Sequence, residues 1–231
     1  MKKYVVILAA GSGTRFGTEN GPKQFVKVMG KTILEHSIDA CDCGVFDKII
    51  VVVPEPNVHE VSKRMRTYGC RADICVVAGG TSRVESCKRG IEAIHDDEAY
   101  VVVHNGAQPL VSKASFDKCI AGLETSDAVV TSVPCVYTVL KVDDAGHVID
   151  IPDRNMLRQD MGEEGFRLSV LRKLFSHGND ICEKTSIVRI VMMSGLSTVL
   201  AVEGDADNAK ITYKSDIHDM EYRLGMTSRK E

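Results

Sequence analysis

Lys48–Val53 reads KIIVVV, six residues with no polar alternation after the first. A strand with one face in water alternates apolar and polar; a strand that does not alternate must be covered on both faces. The same texture recurs in YVVILAA (4–10), ICVVA (74–78), YVVVH (100–104) and VVTSV (129–133). Between these runs, small and apolar residues fall at helical spacing. They are Ile33, Leu34, Ser37, Ile38 and Cys41, then a stretch over 58–68, then Val84, Cys87, Ile91 and Ile94, then Phe116, Ile120 and Leu123. Parallel strands need crossover helices, so the pattern predicts an α/β fold: a doubly wound, mostly parallel sheet covered on both faces.

The alternation breaks after residue 133. Residues 138–142, a turn at Asp143-Asp144-Ala145-Gly146, and residues 147–151 predict a β-hairpin inserted into the sheet order, an arm over roughly 135–160. Helices near 168–177 and 183–193, a strand at 198–202 and a helix from Ser215 complete the chain. With 231 residues, 44% of them hydrophobic, one domain spanning 1–231 is the simplest organisation.

Bulk properties exclude several function classes. A net charge of −3 leaves no basic footprint for nucleic acid or an anionic membrane surface. No apolar run approaches the ~18 residues that a bilayer crossing needs. MKKYVVILAAG has the outline of a signal peptide. Its apolar part, however, is only seven residues and runs into GSGTR without a processing site, so a first strand is the better reading and the cytoplasm the expected location. The eight cysteines (41, 43, 70, 75, 87, 119, 135, 182) form no C-x-x-C pair and do not cluster with the seven histidines, as expected of buried free thiols.

The first strand runs into LAAGSGTRFG, followed after a gap by Pro22-Lys23-Gln24. The dinucleotide fingerprint G-x-G-x-x-G fails because Phe16 occupies the third glycine position, and a P-loop would need Lys23 next to the glycines. What fits is a loop whose backbone N–H groups wrap a triphosphate. Gly11 and Gly13 permit close approach, while Arg15 and Lys23 supply charge. A purely structural glycine turn is the plain alternative.

LAAGSGTRFG…PKQF resembles the signature loop of the sugar-phosphate nucleotidyltransferases. AGGTSRVESCKRG (78–90) is similar to the pyrimidine-binding segment of the methylerythritol-phosphate and ribitol-phosphate cytidylyltransferases. VHNGAQPLV (103–111), PCVYTVLKV (134–142), IPDRN (151–155) and EGDADNAKIT (203–212) match further family segments in order. The resemblance implies a Rossmann-like nucleotidyltransferase fold and Mg²⁺-dependent transfer of CMP from CTP to a phosphorylated small alcohol or polyol, with release of pyrophosphate. It implies CTP contacts from Leu8, Ala9, Ala10, Gly11, Ser12, Gly13, Thr14, Arg15 and Lys23, and from Gly79, Gly80, Thr81, Arg83 and Ser86. Arg15, Lys23, Arg154 and Lys210 would be catalytic. Asn105, Gln108, Thr138, Arg154, Glu183 and Lys210 would meet the acceptor, with Asn105 the one candidate metal contact. The arm would reach into a neighbouring subunit, which implies a homodimer whose sites are completed in trans.

The chemistry is consistent with the residues present. A phosphate monoester is largely dianionic at neutral pH, with a second pKa of roughly 6, so it needs no general base. The chain offers no Ser-His-Asp or Cys-His arrangement.

The departures from the family pattern lie on the acceptor side. Asn105 and Gln108 replace an aspartate and an arginine, residues 159–166 replace a threonine-proline-glutamine segment, and CEKTS (182–186) replaces T-D-E-A-S. These departures predict an acceptor other than methylerythritol phosphate. A non-catalytic nucleotide-binding paralogue is the second reading, against which the intact Arg15, Lys23 and Lys210 count. A nicotinamide-dependent oxidoreductase fails with the fingerprint.

Overall fold

The computed structural model describes residues 1–17, 21–176 and 186–227. The elements run β1 (Lys2–Leu8), β2 (Lys27–Val28), β3 (Lys31–Thr32), α1 (Ile33–Cys41), β4 (Lys48–Val53), α2 (Val58–Met65), β5 (Asp73–Ala78), α3 (Arg83–Glu92), β6 (Ala99–Asn105) and α4 (Lys113–Gly122). They continue with β7 (Ala128–Pro134), β8 (Lys141–Val142), β9 (Val148–Asp150), β10 (Arg158–Arg167), α5 (Leu168–Ser176), α6 (Ile187–Met193), β11 (Leu200–Glu203) and α7 (Asp216–Thr227).

Seven strands form one sheet in the order β11-β7-β10-β6-β1-β4-β5. All neighbouring pairs are parallel except those of β10, which runs antiparallel to both β6 and β7. The mostly parallel α/β sheet expected from the sequence is thus observed. Ile49, Val51 and Val53 of β4 point into one apolar layer with Leu34, Ile38, Val61, Phe116 and Ile120. Ile50 and Val52 point into the opposite layer with Val84, Cys87, Leu171 and Val191. Helices α1, α2 and α4 therefore cover one face and α3, α5 and α6 the other, which is why KIIVVV carries no polar face. Among the described residues no helix is long and apolar enough to cross a membrane, and the seven described cysteines are free thiols.

Strand β10 corrects the sequence reading, which predicts no element over residues 159–166. The strand reads RQDMGEEGFR and is buried from Met161 to Phe166. Polar composition and two glycines hide it from any apolar pattern. It survives at the sheet centre because its glutamates are satisfied internally. Glu164 accepts from Arg83 Nη2 at 2.7 Å and from the Val188 backbone N–H at 3.2 Å. Glu163 accepts from Ser115 Oγ at 3.1 Å, from Thr131 Oγ1, and from Asn208 Nδ2 at 2.6 Å.

The inserted hairpin is present but shorter than predicted, pairing only β8 with β9 around the turn in which Asp143 Oδ1 accepts from the Ala145 and His147 backbone N–H groups. It leaves Tyr137 and Met156 each 83% exposed, with Val136, Leu140, Ile149 and Ile151 also uncovered.

Candidate functional site

Strand β1 connects to β4 on one side of it, whereas β6, on its other side, connects to β7 in the opposite direction. Connections leaving two adjacent strands in opposite senses open a crevice at their carboxyl ends, where ligands bind in doubly wound sheets. The cleft found there has a volume of about 460 Å³. It is lined by the loop after β1 (Leu8 to Phe16), by Lys23 and Gln24, by Gly80 to Arg83 and Ser86, by Asn105 to Ala107, and by Lys210 and Thr212.

Gly13 adopts φ 66°, a left-handed conformation, and a Cβ there would lie 3.2 Å from Lys23 Cγ. Glycine thus lets the loop turn and lets Lys23 cross behind it. The loop is held by a residue that the sequence reading quotes but gives no role. Buried Gln24 donates from Nε2 to the Ala9 carbonyl at 2.6 Å and to the Gly11 carbonyl at 3.2 Å. These bonds tie the loop's carbonyls back to Gln24. The signal was the Pro22-Lys23-Gln24 order, which places Gln24 next to a cation already singled out.

The second wall starts α3. Ser82 caps the helix, accepting from the Glu85 N–H at 3.1 Å. Ser86 Oγ accepts from the Gly80 N–H at 3.1 Å. Glu85 Oε2 accepts from the Thr81 N–H and Oγ1 at 2.7 and 2.8 Å, which holds its carboxyl down at about 2. A Cβ on Gly80 would lie 2.2 Å from Glu85 Cδ, so only glycine lets this brace close. Glu85 is a loop-bracing residue that sequence reasoning missed. Gly79 packs against Ala10 and Ser86 rather than lining the cleft.

The third wall ties β6 to the turn that carries Lys210. The Gly106 N–H donates to the Leu8 carbonyl and the Ile211 N–H to the Ala107 carbonyl, both at 2.9 Å. Lys23 Nζ donates to the Ile211 carbonyl, so the two lysines face one cleft from adjoining segments. Burial, with repulsion from Lys210 and Arg15, pushes Lys23 down to about 8. Partial loss of solvent in the hollow, with Arg83 and Arg15 nearby, lowers Lys210 in the same direction. Among the described lining residues none is Asp or Glu. Arg15, Lys23 and Lys210 therefore converge without a carboxylate among the described lining residues, while Arg83 is paired with Glu164 behind the wall, and such a site is suited to a polyanion.

Not every predicted residue reaches this cleft. Gln108 does not line it: the side chain is 4% exposed, and Nε2 donates to the Met161 carbonyl at 2.8 Å and the Asn208 carbonyl at 3.1 Å. The expectation that Gln108 meets the acceptor is corrected, because its donors are used inside the protein. Thr138 and Arg154 lie on the exposed arm, where Arg154 Nη1 donates to the Val136 carbonyl at 3.2 Å, and neither borders the cleft of its own chain. Glu183 lies outside the described residues.

Residues 3–225 match the IspD family, 2-C-methyl-D-erythritol 4-phosphate cytidylyltransferase. The enzyme of that name from Haemophilus influenzae (strain PittGG) is 31% identical over 224 residues, covering 95% of each chain. That from Thermosipho melanesiensis is 34% identical, covering 92% of this chain and 93% of its own. Among solved structures, the Francisella tularensis enzyme superposes with a TM-score of 0.77 at 28% identity, covering 96% of this chain and all of the other. The 4-diphosphocytidyl-2C-methyl-D-erythritol synthase from Anaerococcus prevotii gives a TM-score of 0.81 at 25% identity, covering 97% and 98%. This likeness extends over nearly the whole chain and favours the catalytic reading over a non-catalytic paralogue. The chain belongs to the 2-C-methyl-D-erythritol 4-phosphate cytidylyltransferase family, enzymes that use CTP to place CMP on a phosphorylated polyol.

Proposed function

We propose that the acceptor is 2-C-methyl-D-erythritol 4-phosphate itself, and that the enzyme works in the cytoplasm as a homodimer. The observation that carries the acceptor assignment is the inward turn of Gln108. Of the two substitutions on this segment, only Asn105 borders the cleft; Gln108 reaches a substrate through Asn105 alone and leaves an oxygen there, as an aspartate would. The relatives that match this chain in sequence and fold carry this acceptor in their names.

Arg15 and Lys23 hold the triphosphate, and Lys210 neutralises charge where the acceptor phosphate approaches the α-phosphorus. Each such charge-assisted contact is worth on the order of 1.5–3 kcal/mol. The acceptor phosphate is its own nucleophile, so catalysis rests on in-line positioning and charge stabilisation. Gly80, Thr81 and Ser86 contact the cytosine from the start of α3. Among the described lining residues there is no carboxylate to hold Mg²⁺, so a magnesium ion would be held mainly by phosphate oxygens and water, where it would supply charge neutralisation. The uncovered apolar residues of the arm support its packing against a second copy, where Thr138 and Arg154 would complete the neighbour's acceptor site.

The test is pyrophosphate release with CTP across methylerythritol phosphate, ribitol phosphate and glycerol phosphates. The highest kcat/KM is expected for methylerythritol phosphate. A clear preference for another compound would overturn the assignment.

A further inference from the structure

Gln108 is turned away from the cleft but is bonded to a residue that lines it. Its Nε2 faces two backbone carbonyls, those of Met161 and Asn208, and carbonyls only accept. The amide of Gln108 therefore has one permitted orientation, with Oε1 toward Asn105. Reversing it would set an oxygen against two oxygens. Gln108 Oε1 accepts from Asn105 Nδ2 at 2.6 Å. With Nδ2 committed to Gln108, Oδ1 is the end of the Asn105 amide left for the cleft that this residue lines.

The anchor behind Gln108 is also built. Asn208 Nδ2 donates to the Met161 carbonyl at 3.1 Å and to Glu163 Oε1 at 2.6 Å. Glu163 is fully buried. Close approach of Gln108 depends on Gly162, at φ 101°, where a Cβ would lie 2.2 Å from Gln108 Oε1.

We propose that Gln108 is a positioning residue: it fixes the Asn105 amide so that position 105 offers the acceptor substrate its Oδ1. The inference rests on the reading of this cleft as a cytidylyltransferase site and names what selects its acceptor. Position 105 then takes a hydroxyl donor, as a carboxylate would, without the charge. The two positions are consequently coupled. An aspartate at 105 opposite an unchanged Gln108 would set two acceptors face to face in a partly buried place. It needs a donor at 108, which Gln108 cannot turn to provide without losing Met161 and Asn208.

The experiment is a double-mutant cycle on Asn105→Asp and Gln108→Arg, read by thermal unfolding and by acceptor kinetics, with Gln108→Met as a third variant. Asn105→Asp alone should lower Tm and reduce kcat/KM for the acceptor at least tenfold, and adding Gln108→Arg should recover a measurable part of both. Gln108→Met should raise the acceptor KM at least tenfold with the CTP Kd changed less than twofold, a split that general loosening of the fold would not give. Asn105→Asp as stable and active as the wild type, or Gln108→Met with an unchanged acceptor KM, would overturn the proposal. Should Gln108→Met fail to fold, the Asn105→Asp arm decides. Should the wild type turn over none of the polyol phosphates, the function reading fails, and the Tm cycle alone still shows whether 105 and 108 are coupled.

Discussion

Raising the pH should weaken CTP binding, chiefly through one side chain. Lys23 is held down at about 8 by burial, with Lys210 and Arg15 adding repulsion. An amine of that pKa is about nine-tenths charged at pH 7 and about one-tenth charged at pH 9. A triphosphate beside it supplies the missing opposite charge and lifts its pKa back toward the ordinary range near 10.5, so binding stabilises the protonated form. Linkage then requires proton uptake on binding: about 0.1 proton per CTP at pH 7 and nearly one at pH 9, with affinity falling about tenfold between them. Calorimetric titration of CTP in buffers of different ionisation enthalpy measures this directly. Working at pH 8 and above keeps the terminal phosphate of CTP from contributing. Lys23→Arg, which stays charged throughout, should abolish most of the uptake; Lys210→Arg separates the smaller share expected from Lys210, which is lowered in the same direction. A pH-independent affinity between 7 and 9 would refute this account of how the cleft gathers charge, as would uptake unchanged in Lys23→Arg.

The same lowered pKa is a folding penalty in the free enzyme. Below pH 8 Lys23 is charged in both states and disfavours the folded one, and the penalty lifts as pH rises from 8 toward 10.5. Lys23→Met should therefore stabilise the ligand-free protein near pH 7, by roughly 2 kcal/mol after discounting for partial solvent contact, while destroying turnover; thermal unfolding of both proteins checks it. Arg15→Ala should reduce kcat far more than CTP affinity, because its charge is most needed as the transition state develops; near-normal turnover would sink that role. Gln24→Ala should loosen the glycine loop by freeing the Ala9 and Gly11 carbonyls, weakening CTP binding at least several-fold with little change in Tm. Mixing Arg15→Ala and Arg154→Ala subunits should recover activity, since some mixed sites contain both arginines; none in proven mixed dimers would count against the arm's role.

What the sequence revealed and what it hid divide along a physical line. The runs in β1, β4, β6 and β7 were legible because their burial is apolar and continuous, and the helical spacing of α1, α3 and α4 because each covers one face. The glycine loop was legible because few residue types can hold a backbone against a phosphate. Strand β10 was not, because its burial is achieved by pairing polar groups rather than by excluding them. RQDMGEEGFR carries no information about Arg83, Ser115, Thr131 or Asn208, and those distant partners are what make it a strand. The misreading of Gln108 has the same origin. Its orientation is set by carbonyls 53 and 100 residues away in the chain.

That division bears on why the acceptor wall is polar at all. Leucine or methionine in place of Gln108, Glu163 and Asn208 would avoid the desolvation of a buried carboxylate and two amides, and such replacements are often neutral or stabilising. An apolar filling, however, cannot tell one end of an amide from the other, and Asn105 would then show the cleft an oxygen or an NH₂ at nearly equal cost. Gln108 removes that degeneracy, since its NH₂ faces two backbone carbonyls that can only accept and its Oε1 is left for Asn105, while Glu163 holds the Asn208 side chain behind it. On the nucleotide side the proposed contacts are backbone N–H groups, Arg15 and Lys23, which donate as long as they are charged, and the buried amide there, Gln24, spends its NH₂ on two loop carbonyls. Gln108 thus lies behind Asn105, which borders the cleft, and on the proposed reading substitutions at Gln108 or Asn208 should disturb the choice of acceptor before they disturb the use of CTP.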